Sequence, residues 1–77
     1  MSYKIEIHFN GKLFFATLPD SIKTLNDLIK VFNILSRKFP DEEGYTLEVC
    51  VSIFTFSRQA WKVLTDTRND IIILFHK

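Results

Sequence analysis

Two glycines and two prolines in a chain of 77 residues exclude the loops that cradle phosphates. Neither a P-loop nor a dinucleotide fingerprint can be written with so few glycines. Cys50 is the only cysteine, which removes an intrachain disulfide and any cysteine-based zinc cage, and which fits a reducing compartment. The only two histidines, His8 and His76, lack a second nitrogen or sulfur ligand at helical or zinc-finger spacing, so no metal and no cofactor is expected. An excess of charge of one sign is also missing. Ten Lys and Arg stand against nine Asp and Glu, too even a balance to draw the chain onto a polyanion over distance. The longest apolar run, Ile71 to Phe75, falls far short of the roughly 20 residues of a membrane-spanning helix. The opening residues Ser2 to Glu6 alternate polar and apolar without the continuous apolar stretch of a secretory signal, so a cytoplasmic location is expected.

What is present is apolar mass. The chain is 47% hydrophobic, with eight Phe, enough for one core, and a single domain over residues 1–77 is expected. A chain this short buries only about 60% of its unfolded surface. A partner surface would add to a marginal stability. Because Phe, Ile, Lys, Asn and Tyr all have AT-rich codons, periodicity is a safer guide than abundance.

The first strand is plain: Tyr3, Ile5, Ile7 and Phe9 alternate with Lys4, Glu6, His8 and Asn10. Asn10-Gly11 then predicts a two-residue turn and an antiparallel return over Lys12 to Leu18. That register sets Ile7 opposite Phe14, Ile5 opposite Ala16 and Tyr3 opposite Leu18 on a core face. It also sends Leu13 and Phe15 to the other face with Lys4, Glu6 and His8, where a solvated sheet would be polar. A three-residue loop with a Gly bulge would shift the register and dissolve this conflict.

Thr24-Leu25-Asn26-Asp27 is a capping pattern, and it predicts a helix of about 14 residues from Leu25, with Leu25, Leu28, Ile29, Phe32, Leu35 and Phe39 in one stripe. Arg37 and Lys38 complement its dipole and Pro40 ends it. Val31 and Ile34 fall outside the stripe. After the acidic loop Asp41-Glu42-Glu43-Gly44, the alternation of Tyr45, Leu47, Val49, Val51 and Ile53 predicts a second strand. Its pattern runs on to Phe56, longer than the usual five or six residues. Ser57 then caps a short helix, with a strand over Ala60 to Thr65 as the alternative, and Ile71 to Phe75 reads as a closing strand apolar on both sides.

Hairpin, long helix, long strand, short helix and C-terminal strand make an α+β domain in β-grasp order. Asn10-Gly11-Lys12, the stretch to Pro19 and Thr24-Leu25-Asn26-Asp27-Leu28 resemble the hairpin and helix start of ubiquitin-like proteins. The resemblance implies a mixed sheet with first and last strands adjacent and parallel, in a family that acts mostly by binding other proteins. The final residues, Leu74-Phe75-His76-Lys77, are not the Gly-Gly of the modifiers, so conjugation chemistry is not carried over.

No catalytic constellation stands out: Cys50 has no local signature of an activated thiol, and Glu42 and Glu43, adjacent in sequence, do not straddle a substrate. The expected function is therefore non-catalytic. It is a protein–protein interaction module that binds, blocks or recruits a partner, in the manner of a phage or mobile-element inhibitor of a host factor. The candidate contact residues are His8, Leu13, Phe15, Ile72, Leu74 and Trp61, an apolar second sheet face with an aromatic beside it. Self-association into a homodimeric adaptor is one alternative. Nucleic-acid binding through Arg37, Lys38, Arg58, Lys62 and Arg68 is another, although no basic run exceeds two residues.

Overall fold

A computed structural model describes residues 2–18 and 20–66. Its elements are β1 (Tyr3–Phe9), β2 (Lys12–Ala16), α1 (Leu25–Lys38), a 3-10 turn (Asp41–Glu43), β3 (Tyr45–Val51), β4 (Phe54–Ser57) and α2 (Arg58–Asp66). The strands form one antiparallel sheet in the order β2-β1-β3-β4. The described residues thus make a small α+β fold with two helices and a four-stranded sheet. The flank of β1 where the ubiquitin-like resemblance implies a parallel last strand carries β3. The expected strand over residues 71–75 lies outside the described residues.

One face of the sheet makes the core. Tyr3, Ile5 and Ile7 of β1 and Leu47, Val49 and Val51 of β3 are buried with Leu28 and Phe32 of α1, Trp61 of α2 and Ile22 of the connecting loop. The helix α1 begins where its sequence directs. Thr24 is extended (φ −130°) and its Oγ1 accepts from the Asp27 amide at 3.1 Å, which satisfies one of the amides that the first turn leaves without a partner. Of the predicted stripe, Leu28 and Phe32 are buried, and Leu25, Ile29, Leu35 and Phe39 pack at its margin together with Val31.

The first hairpin turns as expected and then departs from the expected register. Asn10 (φ 50°) and Gly11 (φ 84°) both take the positive φ of a type I′ turn, and Phe9 pairs with Lys12 and His8 with Leu13. Beyond that the register shifts, Ile7 facing Phe15 and Glu6 facing Ala16, so Phe14 is an extra residue in β2. The bulge moves Phe15 onto the face of Ile7, where it packs against the core, and leaves Leu13 on the opposite face. The expected Ile7–Phe14, Ile5–Ala16 and Tyr3–Leu18 pairs do not form, and a two-sided apolar sheet does not arise from Leu13 and Phe15 together. Past β2, Thr17 still holds Ile5: its amide donates to the Ile5 carbonyl and its Oγ1 accepts from the Ile5 amide, both at 3.0 Å.

The single long strand from Tyr45 is a hairpin instead. Ser52 has φ 54° and, with Ile53, reverses the chain so that Val51 pairs with Phe54 and Glu48 with Ser57. A two-residue reversal places Phe54 and Phe56 on the core face, whereas uninterrupted alternation would have put Ile53 there. Ile53 is instead 91% exposed at the tip. The segment after Ser57 is helical, and the Ser57 hydroxyl accepts from the Ala60 amide at 3.2 Å.

Candidate binding surfaces

Arg58, the first residue of α2, is 4% exposed although it is charged. Its Nη1 donates to the Ser36 carbonyl at 2.9 Å and to Ser36 Oγ at 3.0 Å, and its Nη2 donates to the Phe39 carbonyl. These carbonyls belong to the C-terminal end of α1, which has no amides of its own to offer them. Arg58 Nε lies 3.0 Å from Asp41 Oδ1, with its N–H directed off the line to that oxygen; this is an ion pair and not an aligned hydrogen bond. Gln59 Nε2 donates to the other Asp41 oxygen at 2.9 Å. The start of α2 is thereby fixed to the end of α1, and between this junction and the first hairpin runs a groove of about 340 Å³, lined in part by His8, Asp41, Glu48 and Gln59.

The same junction fixes Phe39 within a group of rings. Phe9 meets Tyr45 at 4.9 Å, Phe39 meets Tyr45 at 5.0 Å and Phe15 at 5.5 Å, and Phe14 stands 5.8 Å from Tyr45 and 5.9 Å from Phe39. Such tilted and edge-on contacts are favourable for aromatic quadrupoles. The cluster is not sealed: Phe14 is 55% exposed and Phe9 40%. It exists because the bulge turns Phe14 toward the side that also holds Phe15, at the end of the sheet where α1 stops.

The outer face of the sheet is mostly polar, carrying Lys4, Glu6 and His8 of β1, Thr46, Glu48 and Cys50 of β3, and Thr55 and Ser57 of β4. Lys4 Nζ is 2.7 Å from Glu6 Oε2; the hydrogen bond to Glu6, and then its charge, hold the Lys4 amine above its ordinary 10.5. Glu6 and Glu48 face each other directly in the ladder. The His8 ring lies near both, Nε2 at 4.0 Å from Glu6 Oε1 and Nδ1 at 3.7 Å from Glu48 Oε1.

The structure therefore disperses the residues singled out in the sequence. His8 and Leu13 are cross-strand neighbours on the outer face, with Leu13 60% exposed. Phe15 is on the core side, and Trp61 is fully buried among core residues, so it offers nothing to a partner. Ile72, Leu74 and Arg68 lie outside the described residues. Of the remaining basic residues, Arg37, Lys38 and Lys62 are exposed, while Arg58 is spent on α1. Sequence reasoning missed Phe14 and Phe9 as surface groups; a Phe14-Phe15 doublet interrupting an alternating strand is the signal that marks a bulge. It also missed the meeting of Glu6, His8 and Glu48, because ligands on neighbouring strands have no fixed sequence spacing. In comparisons with known proteins, no family model, no curated protein and no solved structure matches the chain.

Proposed function

We propose that the protein is a non-catalytic interaction module that holds a partner protein at the aromatic end of its sheet. The observation that carries this reading is the half-exposed pair Phe9 and Phe14, set on a preformed cluster with Phe15, Phe39 and Tyr45. Aromatic rings already fixed by neighbours lose little conformational freedom on binding, and such anchors supply much of the energy of protein interfaces. Exposed Lys12 precedes the rings in β2, and the acidic turn Asp41–Glu43 joins Phe39 to Tyr45. This gives the patch the polar rim that interfaces have around an apolar centre. The mechanism is occupancy: the module blocks or recruits what it binds.

Affinity capture from a native lysate with the wild type, Phe14→Ser and Leu13→Ser tests the reading. Loss of a captured protein with Phe14→Ser, and its retention with Leu13→Ser on the opposite face, is the expected outcome. Light scattering on the same proteins assigns the occupant to a second copy if the wild type is a dimer that Phe14→Ser dissociates. Capture that survives Phe14→Ser and Phe9→Ser overturns the proposal.

A further inference from the structure

We infer that Glu6, His8 and Glu48 form a site for a first-row divalent cation of the zinc class on the outer face of the sheet. The three residues offer two carboxylate oxygens and one imidazole nitrogen, all within 4.8 Å of one another. Glu6 and His8 are alternate residues of β1 and so share a face, and Glu48 is the direct partner of Glu6 on β3. The central strands thus fix all three Cα positions. Three protein ligands with a position left to solvent is the arrangement of open zinc sites.

The contacts within the group are those of a gap and not of a closed hydrogen-bond network. The His8 nitrogens stand 4.0 Å and 3.7 Å from the nearest carboxylate oxygens, beyond the roughly 2.7–3.2 Å of a made N–H···O bond. Around a tetrahedral cation with bonds of about 2.0–2.2 Å, neighbouring donor atoms lie roughly 3.4 Å apart. As the group stands, His8 Nε2 faces Glu6 and Nδ1 faces Glu48; closing onto an ion brings a single imidazole nitrogen to both carboxylates, by a turn of the His8 ring and of the Glu48 side chain, which is 43% exposed. Lys4 holds Glu6 Oε2 at 2.7 Å while the other oxygen, Oε1, is the one near His8, so Lys4 fixes the carboxylate from outside, as outer-shell partners of metal ligands do. Two carboxylates placed face to face repel, and a divalent cation between them removes that repulsion. One imidazole beside two carboxylates selects zinc-class ions over magnesium, which prefers an all-oxygen shell and retains its water.

The test uses the full chain without a histidine tag, stripped with chelator and titrated with Zn²⁺, Co²⁺ and Mg²⁺ by calorimetry and, for Co²⁺, by visible absorption. The expected result is one equivalent of Zn²⁺ or Co²⁺ bound. His8→Gln and Glu48→Gln should each weaken binding by about tenfold or more, the scale that even outer-shell losses reach. His76→Gln should bind as the wild type does. The fold of each variant is checked by circular dichroism and by the fluorescence of Trp61. The inference is overturned if the wild type binds no Zn²⁺ at millimolar metal, if Mg²⁺ binds as well as Zn²⁺, or if His76→Gln abolishes binding that His8→Gln spares.

Discussion

Arg58 completes a helix to which it does not belong: its Nη1 donates to the carbonyl of Ser36 at 2.9 Å, across 22 residues of chain. The arrangement joins α1 to α2 by satisfying acceptors that no backbone amide reaches. Hydrogen bonds from a charged donor contribute roughly 1.5–3 kcal/mol each, and a buried acceptor left without a partner costs a comparable amount. Arg58→Met should therefore destabilise the fold by about 2–4 kcal/mol, measured by urea unfolding followed through Trp61, which is fully buried in the native state. Arg58→Lys should recover little, because a single ammonium lacks the fork that serves Ser36, Phe39 and Asp41 at once. Full stability in Arg58→Lys would show that charge at the end of α1, and not the geometry of the fork, fixes the helices.

The two glycines separate backbone strain from steric clash. Gly11 has φ 84° and nothing within 4 Å of where a Cβ would sit. Gly11→Ala then costs only the left-handed conformation, about 1 kcal/mol. Gly44 has φ 93°, and its Cβ would lie 3.1 Å from Asn10 Oδ1 and 3.4 Å from Phe9. Gly44→Ala pays the same strain and also displaces the turn and a ring of the exposed cluster, so it should lose about 2 kcal/mol. Equal losses in the two variants, read from chemical denaturation, would mean that Asn10 and Phe9 yield to the added methyl group without cost.

The bulge makes a prediction about a deletion. Removing one residue of the Phe14-Phe15 doublet leaves a single Phe between Leu13 and Ala16. A ladder with Leu13 opposite His8 and that Phe opposite Ile7 is then regular, with alternation restored. The deleted chain should fold with the same inner and outer faces, seen as unchanged amide shifts in β3 and β4. It should lose about 1–2 kcal/mol with the ring contacts of Phe14. It should also lose the partner that Phe14→Ser loses. An unfolded deletion variant would mean that the bulge bends β2 in a way the core requires.

The contrast between Thr24 and Ser52 shows how far the sequence could be read. Thr24 caps α1 through its own side chain three residues on, and the helix that follows is amphipathic. Each signal is local, and the helix starts and ends where residues 24–40 direct. The β3–β4 reversal has no such mark. Ser52-Ile53 is not a favoured turn pair, and Tyr45, Leu47, Val49 and Val51 alternate directly into Ile53, so the pattern conceals the turn that pairing with β4 imposes. The register of β2 is legible at the Asn10-Gly11 end; beyond it the Phe14-Phe15 doublet marks an irregularity but does not say which of the two rings is the extra residue. The outer-face group depends on β3 lying beside β1, a long-range pairing that no window of sequence contains.

That pairing also sets the last prediction. Glu6 and Glu48 are direct cross-strand partners, and like charges in that position destabilise, with pair energies of roughly 0.2–1 kcal/mol. In chelator-treated protein at low salt, Glu48→Gln should raise stability within that range, and added salt should shrink the gain as it screens the repulsion. Lys4 modulates the effect, since it sits 2.7 Å from Glu6 and offsets part of its charge. In a Lys4→Met background the gain from Glu48→Gln should grow, a coupling that a double-mutant cycle measures. The sign with pH follows from the same contact. The folded-state amine of Lys4 is held above 10.5, so its stabilising share is complete below that value and disappears as the pH rises through the elevated one. Lys4→Met should therefore lack this part of the alkaline loss of stability. A cycle with no coupling between residues 4 and 48 would mean that Glu6 does not transmit charge between the two, and that the outer face behaves as independent solvated groups.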